Sequence, residues 1–188
     1  MSGSTLGLAP DDIATRFDHL QARLAPLWSS LASLNQDEQT IVVVPSMTLE
    51  ALDVPPTVLQ AYEERFLFLL LLLRQPNARM IYVTSRPILE SVIDYYLGLL
   101  PGVIHGHARA RLHNPAPHDA SSRPLAAKLL ERPRLLARIR ALIPDRNRAH
   151  LVPFVTTELE RDLAIRLDIP VYGADPRHFV HEIGRAHV

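Results

Sequence analysis

The chain has 188 residues, a formal charge of zero from 20 basic and 20 acidic side chains, and no cysteine. That length suits one domain with a sizeable core, and the balanced charge gives no global field toward nucleic acid or anionic lipid. The missing thiols exclude disulfides, thiolate metal sites and a cysteine nucleophile.

The N-terminal "MSGSTLGLAPDD" has neither a basic n-region nor an apolar h-region, so no signal peptide is read and a cytoplasmic location is expected. Asp11 or Asp12 is placed to cap a helix running to about Leu34, with Trp28 among its apolar positions. Residues 1–39 are therefore read as an N-terminal helical segment. "TIVVVPS", Thr40 to Ser46, is a continuous β-branched run, the pattern of a strand buried on both faces in a parallel sheet.

The stretch "YEERFLFLLLLLRQP", Tyr62 to Pro76, holds an unbroken apolar run from Phe66 to Leu73. Eight helical residues rise only about 12 Å, while a membrane span needs about 20 apolar residues. No membrane crossing is expected; apolar all round predicts a helix buried all round, with Arg74 at its negative end and Pro76 stopping it.

"RMIYVTS", Arg79 to Ser85, reads as a second buried strand, and "PILESVIDYYLGLLPG" as a helix with Pro87 in its first turn. A weaker strand covers Ala110 to Pro115. Helices fit Pro124 to Glu131 and Pro133 to Ile143. "AHLVPFVTT", Ala149 to Thr157, is another strand, with Pro153 arguing for an edge or bulge. "ELERDLAIRL" is an amphipathic helix and "IPVYG" a short final strand. The alternation predicts an α/β fold: a Rossmann-like, doubly wound, mostly parallel sheet over residues 40–177, preceded by the N-terminal helix.

In such sheets ligands bind beyond the carboxyl ends of the strands. Ser46, Thr84, Ser85, Arg86, Thr156 and Thr157 fall there, either as ligand contacts or as caps of the following helices. No G-x-G-x-x-G follows a strand and no G-x-x-x-x-G-K-[ST] occurs, which argues against a standard NAD site or P-loop.

The segment from His105 to Pro124 gathers His105, His107, His113, His118 and Asp119. His-x-His places both rings on one face only in a strand, so no metal site is expected, and His118, Asp119, Ser121 and Arg123 are read instead as candidates for a polar substrate pocket. The arginines of "RPRLLARIRALIPDRNR" are read as a solvated face rather than a phosphate surface, since no aromatics interleave them. Lys128 is the only lysine among many arginines, which is read as a coding bias.

Taken in order, "VVVPS", "YEERFLFLLLLLRQP", "YVTSRPI", "DYYLGLLPG", "HDASSRPLAAKLLERPRLLARIR" and "AHLVPFVTTELERDLAIRLDIPVYG" resemble the N-terminal region of pheganomycin-type peptide ligases. These are ATP-grasp carboxylate–amine ligases, and the resemblance spans roughly Thr40 to Asp175. It implies a pre-ATP-grasp domain, Rossmann-like, packed against a catalytic ATP-grasp core. The implied chemistry phosphorylates a carboxylate with ATP and Mg, and an amine then attacks the acylphosphate. ATP and Mg would be held by C-terminal ATP-grasp domains of the same protein, with no cofactor in this chain, and the partners would be those domains and small carboxylate and amine substrates. Pre-ATP-grasp modules line one side of the substrate cleft, which makes Ser46, Ser85, Arg86, His118, Asp119, Ser121 and Arg123 the substrate-binding candidates.

Residues 178–188 are read as a tail, within which "EIGRAHV", residues 182–188, matches the translation of a common sequencing adapter. The expectation is an artefact on a gene fragment that is inactive alone, so His181 and His187 belong to no site. The alternatives are a stand-alone, non-catalytic docking module, or a small enzyme built on Ser85, His118 and Asp119.

Overall fold

The computed structural model describes residues 6–32, 38–47 and 55–176. Its centre is a four-stranded, all-parallel sheet in the order β3-β2-β1-β4, formed by β1 (Gln39–Val44), β2 (Ala78–Tyr82), β3 (Leu112–His113) and β4 (Ala149–Pro153). This is the Rossmann-like α/β arrangement expected from the periodicity.

Alternation across β1 and β2 builds two cores, because successive side chains of a strand point to opposite faces. Val42, Val44 and Ile81 pack with α6 (Leu125–Leu130), α7 (Pro133–Ala141) and α8 (Glu158–Leu167), joined by Phe17 of α1 (Pro10–Gln21). Ile41, Val43, Met80 and Tyr82 face the other layer: a 3-10 helix (Arg65–Arg74), α4 (Glu90–Leu99) and α5 (His105–Arg111). β1 is therefore buried on both faces, as its β-branched run predicts.

Several expectations change in detail. The N-terminal helix is two helices, α1 and α2 (Leu24–Ala32); α1 has Ala9 at its N-cap with no side-chain bond and Pro10 at N1, so Asp11 and Asp12 sit in the first turn rather than capping it. Leu34 lies outside the described residues, as do residue 177 and the whole tail, 178–188. α4 begins three residues after Pro87, with Leu89 at its N-cap. The weak strand shrinks to β3, because His105–Arg111 turns into α5; a helix places His105 and His107 on different sides. "IPVYG" supplies one bridge, Val171 to Leu151, held against α1 by both amide atoms of Gln21.

The apolar run is the largest correction. It continues α3 (Pro56–Glu64) as a 3-10 helix, whose three-residue turn stacks Leu67, Leu70 and Leu73 into one buried stripe. Phe68, Leu71 and Leu72 are exposed, Phe68 at 55% of its surface, so the segment is not buried all round. Arg111 ties the end of the segment to the start of β2, donating to the carbonyls of Leu73 in the helix, Gln75 just after it and Ala78 at the head of the strand. Among the described residues no helix is long and apolar enough to cross a membrane.

Candidate functional site

The densest polar arrangement lies at the carboxyl end of β2. The chain leaves Tyr82 and reaches Ser85, which is 3% exposed. Its backbone N–H donates to Glu63 Oε2 at 2.7 Å and its hydroxyl to Glu63 Oε1 at 2.6 Å. Glu63 stands in the last turn of α3, fully buried, and its backbone carbonyl accepts from the Tyr82 hydroxyl at 2.6 Å. From α6, the fully buried Lys128 directs its ammonium at Ser85 Oγ (2.9 Å), Asp119 O (3.0 Å) and Ser121 O (2.7 Å).

The arrangement suits opposite charges: the Glu63 oxygens take two bonds from Ser85, and the Lys128 nitrogen faces three oxygens, one for each hydrogen of an ammonium. Burial pushes the Glu63 carboxyl up, while the Ser85 donors and Lys128 act against it. Burial likewise pushes the Lys128 ammonium down, opposed by Glu63 and Asp119. Ser85 thus bridges a buried ion pair.

Around this bridge the loop before α6 is tied down. Asp119 N–H donates to Ser85 O at 3.0 Å, and the Asp119 carboxylate accepts from Ser121 N–H (3.0 Å) and Arg132 (2.8 Å). Ser121, then Arg132, hold the Asp119 carboxyl well below the usual carboxylate range. Asn114 stitches β2 to β3, donating to Tyr82 O and Thr84 Oγ1 and accepting from Ile88 N–H.

Of the substrate-binding candidates, Ser85, Asp119 and Ser121 come together here, the last two partly through backbone atoms. Ser46 is fully buried and its hydroxyl accepts from Ala126 N–H at 3.2 Å, so it anchors the start of α6. Arg86 and His118 are exposed; Arg86 contributes its carbonyl to Thr84, and His118 stands in the left-handed region at φ 55°. Arg123 pairs with Glu131 on the surface. Thr157 is the N-cap of α8 in a full capping box with Glu160.

Ser85, His118 and Asp119 do not form a catalytic set. The Ser85 hydroxyl is engaged by Glu63 and Lys128, the Asp119 carboxylate by Ser121 and Arg132, and neither bonds the His118 ring. Among the described residues no group of three or more metal-binding side chains converges. Sequence reasoning missed Glu63, Lys128 and Arg132. The available signal was Lys128 itself: a compact ammonium with three freely placed donors serves three oxygens where a planar guanidinium would not.

A cleft of about 400 Å³ opens beside this end of the sheet, at the edge of β3, lined by Ile88, Glu90, Arg109, His113, Asn114 and Arg138 among others. Glu90 and Arg109 pair across it. None of the substrate-binding candidates lines it. Comparison of the chain with protein-family models, curated proteins and solved structures finds no match.

Proposed function

We propose that this chain is the pre-ATP-grasp module of an ATP-dependent carboxylate–amine ligase of the peptide-ligase type. In this reading it forms one wall of the substrate cleft, while ATP-grasp domains of the same protein hold ATP and Mg and carry out the transfer. The Ser85–Glu63–Lys128 bridge has a positioning role: it fixes the loops that leave β2 and enter α6, at the end of the sheet where ligands bind.

The observation that carries the reading is the exposed apolar face of the 3-10 helix. Phe68, Leu71 and Leu72 lie outward beside the buried Leu67, Leu70 and Leu73, and Tyr95 and Leu99 of α4 are exposed in the same helical layer. Such a face has the character of a surface made to be covered by another domain. It would equally serve a stand-alone docking module, so the two readings part on nucleotide chemistry.

Calorimetric titration of this chain with ATP and Mg should give no micromolar binding, whereas the chain joined to the sequence encoded downstream of residue 175 should form an amide and release ADP. Micromolar ATP binding by this chain alone would overturn the division of labour. A gene carrying no ATP-grasp region downstream would favour the docking module.

A further inference from the structure

His150, the second residue of β4, is buried, and among the described residues its Nδ1 has no hydrogen-bond partner. A buried polar atom is normally paired, because leaving it bare forfeits its bonds to water. Ala149 and Leu151 belong to the core under α6, α7 and α8, so the His150 ring lies on the opposite face of the sheet. Its cover there is aromatic: the Trp28 ring of α2 at 5.5 Å between centroids, and the Tyr172 ring at 6.3 Å. Trp28 and Tyr172 meet each other edge to face at 5.1 Å.

These surroundings offer the ring no charge to meet. No residue of α2 is ionisable, and beside His150 in the sheet stand Ala149, Leu151 and, in register on β1, Ile41. Tyr172 brings a phenol, which carries no charge in acid. The charged residues at the neighbouring strand starts are paired, Glu38 with Arg79 and Arg148 with Asp145. Burial alone pushes the imidazole down, to about 4 from 6.5.

The cover is lightly held. α1 is anchored by Ile13, Phe17 and Leu20, whereas the described side chains of α2 include one buried residue, Leu27. Trp28 itself is 40% exposed. The turn between the two helices is pinned by Arg23, which pairs with Asp168 and donates to the Arg146 carbonyl, so α2 has a fixed point to move about. A helix with so small an anchorage opens at the low end of a domain's range of local stabilities.

We propose that α2 is an acid-released flap: protonation of His150 obliges the imidazole to take up water, and Trp28 and its helix swing off the start of β4. An imidazole serving only as aromatic filling would be replaceable by phenylalanine, which has no nitrogen to leave bare. The closed form keeps the ring neutral and the open form lets it ionise normally, so acid favours opening by up to about 300-fold over neutral pH. The closed form must be favoured by less than that at neutral pH, and opening then falls between the covered and uncovered values. The flap lies at the amino end of β4, away from the Ser85–Lys128 bridge, and does not depend on the ligase reading.

Trp28 is the only tryptophan of the chain, so its fluorescence reports on the flap directly. Acrylamide, an uncharged quencher, is titrated against the whole chain from about pH 7.5 to about pH 4, with far-ultraviolet circular dichroism recorded alongside. The quenching constant should rise at least about twofold on a one-proton curve with its midpoint between about pH 6.5 and about pH 4, while the dichroism is nearly unchanged. His150→Phe, which cannot take the proton, should hold quenching at the parent's neutral value throughout. Should that variant fail to fold, His150→Gln makes the same test. Quenching that stays flat in the parent, a rise that survives in the folded variant, or a rise that coincides with general loss of dichroism would each overturn the flap.

Discussion

Replacing Lys128 by methionine removes the charge from the buried bridge while keeping an unbranched, similarly long side chain. The structure specifies what is left behind. Glu63 remains an interior carboxylate with only the Ser85 donors, and the carbonyls of Asp119 and Ser121 each lose a partner. Removing one member of a buried ion pair costs about 3–5 kcal/mol. With a urea dependence of about 2 kcal/mol per molar for a domain of this size, the unfolding midpoint should fall by on the order of 2 M. Lys128→Arg should also destabilise, by at least about 1 kcal/mol, because the fully buried site must admit a larger planar group. Combining Glu63→Leu with Lys128→Met removes both charges and should recover much of the loss, giving a coupling energy above about 1 kcal/mol. Urea titrations followed by circular dichroism measure the parent, the single variants Glu63→Leu, Lys128→Met and Lys128→Arg, and the double variant. A Lys128→Met midpoint within experimental error of the parent, or a double variant as unstable as the sum of the singles, would refute the ion-pair argument.

His150 is 5% exposed and among the described residues its Nδ1 has no hydrogen-bond partner, and burial pushes its pKa down to about 4 from 6.5. A depressed histidine favours the folded state above the unfolded pKa and loses that contribution as pH falls through the folded one. Stability should therefore drop by up to about 3 kcal/mol between pH 7 and pH 4, and His150→Gln should flatten that part of the curve in denaturant titrations across pH. Gly102 has φ +74°, and a Cβ there would stand 2.8 Å from Arg74 Cδ. Gly102→Ala should lower stability by about 1–2 kcal/mol through the left-handed backbone alone, and by more where Arg74 stays in place, read as a fall in thermal midpoint.

The strands were legible because their chemistry is local. Runs such as Ile41 to Val44 are buried on both sides wherever they are placed in a parallel sheet, and Thr157 with Glu160 announces a helix start within four residues. The 3-10 character of Arg65–Arg74 was hidden for the opposite reason: an unbroken apolar run carries no period, so neither turn size nor exposed side can be read from it. β3 was overextended because only tertiary packing decides where α5 ends. The polar bridge was only half legible. Ser85 could be guessed from its position after a strand, and Asp119 and Ser121 from the polar run around His118, but Glu63 sits at the charged boundary of an apolar segment. Its partner, Lys128, comes from an element far along the chain.

The 3-10 segment also has a consequence for how the chain finds its alignment. When every residue from Phe66 to Leu73 is apolar, sliding the segment by one position exchanges one greasy stripe for another, and the core alone barely distinguishes the two states. What discriminates is at the ends. Glu63 must meet both donors of Ser85 at the entrance, and Arg111 must reach the carbonyls of Leu73, Gln75 and Ala78 at the exit. A one-residue slip would break both clamps together. The segment is thus indexed like a bar held by two pins, with its hydrophobic middle supplying adhesion and its polar termini supplying position.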